Sequence, residues 1–285
     1  MEETEFQQRI AELKSLFQED LIVEAQDAMQ TWEKTMSPAQ LVAFHAVEEV
    51  ALLKADIEGA QQALALLGDL ESWEMVNDTE EIATFYKGSG SEFFIRGEMI
   101  MEQPIFPALA LFSEIDLLTT WIKVLKRVDL VSDVTQYRKV LRYALDIPWP
   151  CSNRYILISA VGVAIRPNRS ALILFRDVTS PSYLGVSMPE PEAGLIRADV
   201  PIGCINIMML EPNRTQVSFV AKTNPHLALI PQSLVNYAEK HVVFYLLQMI
   251  REKCRTYAGS EYERRVAVKT EYYERLRTRI EKYTS

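Results

Sequence analysis

From residue 155 to 165 the chain reads YILISAVGVAI, and neither face of that run is polar. A strand sends alternate side chains to opposite sides, so Ile156, Ile158 and Ala160 share one face and Leu157, Val161 and Val163 the other. Such a strand has to be covered twice. A helix layer suits one face. For the other, the residues alone leave open a fully packed core or the interior of a strongly curved sheet, where an apolar ligand would fit.

Residues 80–87, 92–101, 123–131, 137–147, 154–165, 171–178, 195–210 and 215–222 are rich in β-branched and aromatic residues, and turn signals such as GSG, RPNRS and EPNR separate them. This predicts a many-stranded antiparallel sheet. Short helices suit 104–121, and a longer one suits 231–257, where Val242, Tyr245, Leu246, Met249 and Ile250 fall on one side. Ahead of the sheet, Phe6, Ile10, Leu13, Phe17, Leu21, Ala25, Ala28 and Trp32 recur at helical spacing, which predicts a helix over 1–35. Ser37-Pro38-Ala39-Gln40 then reads as a capping box opening a second helix that ends near Gly68. The expected organisation is α+β: an N-terminal helical hairpin (1–69), a sheet domain closed by one long helix (70–257), and an amphipathic helical extension (258–285).

Residues 1–72 hold 15 acidic against 4 basic side chains, whereas residues 251–285 hold 6 against 10. The formal net charge of −9 argues against nucleic acid as a partner, because phosphates call for clustered cations. In the extension Tyr262, Val266, Tyr273, Leu276 and Ile280 are interspersed with Arg and Lys, a stripe that either pairs with the acidic hairpin, the favoured reading, or lies on an anionic membrane. Cys151, Cys204 and Cys254 are far apart and form no metal-ligand motif, which points to a reducing, cytoplasmic setting without structural metal. His45, His226 and His241 have no nucleophile at motif spacing, and neither a Walker loop nor GxGxxG occurs. The expectation is a protein with no catalytic role and no cofactor.

One loop stands out. In Asp146-Ile-Pro-Trp-Pro-Cys151, Trp149 is held between Pro148 and Pro150, which remove backbone donors and favour an extended loop. The order of elements over 70–257 resembles a START domain, the lipid-binding module. PWPCSNRY (148–155), GLIRA (194–198) and 224–254, where Asn224, Pro225, Ile230, Pro231, Leu234, Asn236 and Lys240 carry the likeness, are similar to phosphatidylcholine-transferring members of that family. The resemblance implies a helix-grip fold, a curved antiparallel sheet around the C-terminal helix enclosing one lipid. It also implies transfer of that lipid between membranes, with transient attachment to their surfaces. Pro148, Trp149 and Pro150 would form the lid, Trp149 acting as membrane anchor or as a closure against the C-terminal helix. A lipid-responsive adaptor, engaging a protein partner or a second copy through residues 1–67, is the alternative.

The resemblance breaks at the headgroup. Leu118 and Ile122 stand where phosphatidylcholine-specific members carry an Arg and an Asp, and of their aromatic cage only Tyr143 keeps its character. A more apolar pocket is implied, for a sterol, a fatty acyl lipid or an unusual phospholipid. Its expected lining is Leu118, Ile122, Leu141, Tyr143, Leu145, Ile156, Ile158, Ala160, Val242 and Leu246. Asn206, between Ile205 and Ile207, is the candidate polar contact, its alternative being a structural amide with partners of its own.

Overall fold

The computed structural model describes residues 3–69, 71–89, 92–147, 149, 151–165, 170–226 and 232–282. Four helices come first, α1 (Glu3–Gln18), α2 (Ile22–Glu33), α3 (Pro38–His45) and α4 (Glu48–Gly68), so each long helix expected from the periodicity is broken once. The first break is at Asp20, whose φ of +54° turns the chain and frees its carboxylate to accept the Tyr137 N–H at 2.9 Å and the Thr135 hydroxyl. Asp tolerates this left-handed geometry better than most residues. The second break is at Val47, which is extended, and Glu48 and Glu49 then favour the positive end of α4. The capping box opens α3, with the Gln40 N–H donating to Ser37 Oγ and the Ser37 N–H to Gln40 Oε1.

The strands are β1 (Glu74–Asp78), β2 (Ile82–Ser89), β3 (Glu92–Met101), β4 (Leu125–Asp133), β5 (Arg138–Leu145), β6 (Asn153–Ile165), β7 (Ser170–Asp177), β8 (Ser182–Tyr183), β9 (Val186–Ser187), β10 (Leu195–Arg197), β11 (Asp199–Glu211) and β12 (Arg214–Asn224). After β3 come α5 (Ile105–Ser113) and a 3-10 turn (Ile115–Thr120); after β12 come α6 (Gln232–Arg255), α7 (Glu261–Val268) and α8 (Thr270–Lys282). The sheet runs β1-β2-β3-β12-β11-β7-β6-β5-β4 with antiparallel neighbours, and β10 lies parallel to the start of β6. The single strand expected over 195–210 is split at Ala198 into β10 and β11, and neither β1 nor the small β8–β9 hairpin was visible in the strand pattern.

Both faces of β6 are covered. On the outer face Val161, Val163, Leu172, Leu174, Ile202 and Val220 pack against Leu13, Phe17, Phe44 and Leu53 of the N-terminal helices. A buried ion cluster ties these layers together. Asp56 of α4 accepts bonds at 2.5 Å from Arg138 of β5 and from Arg176 of β7. Arg138 also donates to the Tyr183 hydroxyl at 3.3 Å and lies 4.7 Å from the Phe17 ring centre. On the inner face, α6 sits directly on β3 because residue 97 is glycine. A Cβ there would clash with Val243 and Leu247.

At the end of β7, Asp177 accepts the Val200 N–H at 2.7 Å through Oδ2, while its Oδ1 has no hydrogen-bond partner among the described residues. Burial pushes this carboxyl from its ordinary 3.8 up to about 6. The folded state therefore holds the proton more tightly than the unfolded chain. The stability this gives is complete below the ordinary value and is lost as pH rises through about 6. Asp177→Asn keeps an acceptor for Val200 and removes the titration. In thermal unfolding it should gain on the wild type as pH rises from about 4, levelling above about 7 at an advantage of about 2 kcal/mol. A gap independent of pH would remove Asp177 as the titrating group.

Candidate functional site

Under α6 the inner face of the sheet does not close on the helix. A cavity of about 920 Å³ remains, walled by β4–β7, β11, β12, α5, α6 and α8. That is the upper part of the range for ligand pockets. Strand alternation positions its floor: Leu141, Tyr143 and Leu145 of β5 face inward, as do Ile156, Ile158 and Ala160 of β6. Leu118 and Ile122 enter from the 3-10 turn and the segment after it, and Val242 and Leu246 from α6. The structure thus brings together ten of the eleven residues expected to line a pocket. Leu125, Ile173, Ile205, Phe219, Tyr245 and Met249 join them.

Asn206 is the exception. Ile205 takes the inner face, so its neighbour turns outward, opposite Leu172 and Ser218. Asn206 is thus not a cavity residue, and its Oδ1 is buried without a hydrogen-bond partner among the described residues. The reason is register, since one residue of offset moves a side chain to the other face.

Polar groups in the cavity are few. The Tyr143 hydroxyl has no hydrogen-bond partner among the described residues, and burial alone pushes its phenol pKa upward. Lys139 is paired with Asp133. Lys123, Gln248 and Glu252 also line it, and Lys123 and Glu252 are exposed, as are the lining residues Val242 and Tyr245 of α6. Such a lining accepts hydrocarbon, and it offers single hydrogen bonds in place of a charged cage.

Trp149 is 92% exposed, so it does not fold back on α6. Pro148 and Pro150, with Ile230 and Pro231 of the quoted resemblance, lie outside the described residues; Ile147, just before the loop, donates its N–H to Asn153 Oδ1 at 3.0 Å. Trp121, next to Ile122, is buried and donates its ring N–H to the Tyr262 hydroxyl at 2.8 Å.

That bond belongs to a larger attachment. Glu114, after α5, accepts from Lys269 at 2.7 and 2.9 Å, Arg265 at 3.0 Å and the Tyr273 hydroxyl at 2.9 Å. Burial acts to raise its pKa, but these bonds outweigh it and hold the carboxyl below its usual value. The extension therefore docks mainly on α5 and the 3-10 turn, where Arg265 also meets Asp116 at 2.6 Å. It also meets the acidic helices at their corner, where Arg279 donates to the carbonyls of Glu19 and Asp20. Glu114, invisible as a docking point, is the group that organises the attachment. Tyr272 and Leu276 of α8 line the cavity; Leu276 belongs to the stripe read from the sequence, and Tyr272 was not part of it.

No protein-family model matches the sequence, nor does any curated protein. The fold has solved counterparts. Human StAR-related lipid transfer protein 5 superposes with a TM-score of 0.62 at 14% identity, covering 72% of this chain and 97% of that one. Human STARD10 does so at 0.60 and 15% identity, covering 70% and 80%. The lipid transfer and protein localization domain of human StarD13 gives 0.52 and 13%, covering 69% and 95%. The architecture is the START-like helix-grip fold, of the α+β class.

Proposed function

We propose that this chain is a START-type lipid carrier that holds one lipid in the cavity beneath α6 and moves it between membranes. The observation that carries the reading is the cavity itself. A space of about 920 Å³, lined almost wholly by apolar side chains, opens beside α6, where a packed core would otherwise sit. Shielding hydrocarbon from water is the physical work, so no catalytic group is required. The counterparts whose names carry lipid transfer, human StAR-related lipid transfer protein 5 and the human StarD13 domain, share the scaffold that encloses it.

In this reading α6 is the lid and the loop carrying Trp149 meets the bilayer, since a nearly fully exposed indole suits the headgroup boundary. No described helix is long and apolar enough to cross a membrane, which leaves surface contact as the mode for these elements. The likeness of 224–254 to phosphatidylcholine-transferring members concerns the lid and its approach. It does not extend to the headgroup, because Leu118 and Ile122 offer no charge to a phosphate. The ligand is then a lipid of small or weakly polar head, to which the Tyr143 hydroxyl can offer a hydrogen bond in the cavity. With α1–α4 already engaged on the sheet, the carrier reading is preferred to an adaptor built on those helices. Three free cysteines suit work in a reducing compartment.

The test is native mass spectrometry of the purified protein combined with vesicle-to-vesicle lipid transfer. A stoichiometric lipid and measurable transfer are expected. Trp149→Ala should slow transfer about tenfold, since it removes about 1.5–3 kcal/mol of apolar contact with the bilayer. A protein that neither retains nor extracts lipid would reject the carrier. Transfer unchanged in Trp149→Ala would reject the anchor alone.

A further inference from the structure

We infer that the C-terminal extension is the end wall of the cavity and sets how long an acyl chain the protein accepts, an inference that rests on the lipid-carrier reading above. The cavity runs along the strands. One end is marked by Leu145 and Ile156, next to the Trp149 loop, and the other by Tyr137, Gly162 and Ala171. From Ile156 to Gly162 the strand advances about 20 Å at its usual rise per residue. The polar side chains at the first end, Lys123 among them, suit a head left near the mouth. At the second end the hydrocarbon tail would meet Tyr272 and Leu276 of α8.

This wall is fastened from several sides. The Tyr137 hydroxyl donates to the Tyr272 carbonyl at 3.3 Å, and the two rings lie 5.2 Å apart. The Arg279 guanidinium lies 4.7 Å from the Tyr137 ring centre and also reaches the α1–α2 corner. One turn earlier, Glu114 holds Arg265, Lys269 and Tyr273. A side chain on a mobile tail would make a poor gauge, whereas one clamped in this way has a fixed position.

A second space of about 50 Å³ lies beyond the wall, bounded by Ile22, Val23 and Ile280. Tyr137, Gly162, Ala171 and Leu276 border both spaces. Of these, Leu276 has the side chain that can be shortened without touching the sheet. Leu276→Ala should join the two spaces and lengthen the cavity, while Leu276→Trp should shorten it. Either change acts on the length of the bound chain and leaves the mouth alone.

The full chain is incubated with vesicles of phosphatidylcholine of one chain length, doped with diacylglycerols and free fatty acids whose acyl chains are graded in length. The protein is then recovered and the chain lengths it holds are read by mass spectrometry. Leu276→Ala should move the distribution to longer members of the series and Leu276→Trp to shorter ones. A general loss of stability would lower occupancy without sorting by length. Identical distributions in folded variants would overturn the end wall and leave the carrier standing. A wild-type protein that takes no acyl lipid from these vesicles would overturn this inference, and one that takes no sterol from cholesterol-doped vesicles either would overturn the carrier reading with it. Should Leu276→Trp fail to fold, Leu276→Ala and Leu276→Phe decide the matter, with shifts of opposite sign expected.

Discussion

Asp56→Ala should be the most destabilising single substitution among those considered, by about 3–5 kcal/mol, a large part of the stability of an ordinary domain. Asp56 is the one carboxylate between Arg138 and Arg176, and both it and Arg138 are buried. Removing it strips both guanidinium groups beneath α4 of the carboxylate they are hydrogen-bonded to. Urea unfolding checks this as a fall in midpoint with an unchanged slope, since the surface exposed on unfolding stays the same. The pairing itself is not the source of most of this energy, because desolvating the charges offsets much of their attraction. Asp56→Leu combined with Arg138→Met and Arg176→Met should therefore recover most of the loss. If the triple variant is as unstable as Asp56→Ala, the cost lies in packing and not in stranded charge. Either way, α4 would act as part of the sheet domain and not as a detachable arm.

The strand pattern was legible because burial on two faces leaves no other reading of residues 155–165. Which faces point inward came from the resemblance, which supplied Tyr143 and the set Ile156, Ile158, Ala160; a period of two then added Leu141 and Leu145. Asn206 shows the limit. Its strand is apolar on both sides, so periodicity alone did not say which face was inner, and the chosen face was the wrong one. Asp56 and Arg138 are 82 residues apart, and no local pattern joins them. The same holds for Glu114 and Lys269, which are 155 residues apart. Of the amphipathic stripe read in the extension, Tyr262, Tyr273 and Ile280 are buried and Val266 and Leu276 half-buried. Helical spacing could not show that Tyr272 and Leu276 would end a cavity. Long-range partnership is a property of the fold, and only the folded chain displays it.

Ala160→Trp gives the second large effect, and its value lies in moving stability and binding in opposite directions. Ala160 lies on the cavity floor between Lys139 and Phe175 in the sheet register. In a packed core a substitution of this size forces neighbours apart and costs about 1–3 kcal/mol. Here the indole enters open space, and filling such a space more often stabilises a protein, by about 0.5–2 kcal/mol. The variant should thus melt at or above the wild-type temperature when both are stripped of lipid. Lipid uptake, however, should fall at least about tenfold, because the ring occupies the volume that the ligand needs. Misfolding cannot mimic this pair of results, since it lowers both quantities. A variant that is stable and still takes up lipid at the wild-type rate would mean that ligands bind elsewhere, and that the space beneath α6 is a packing gap.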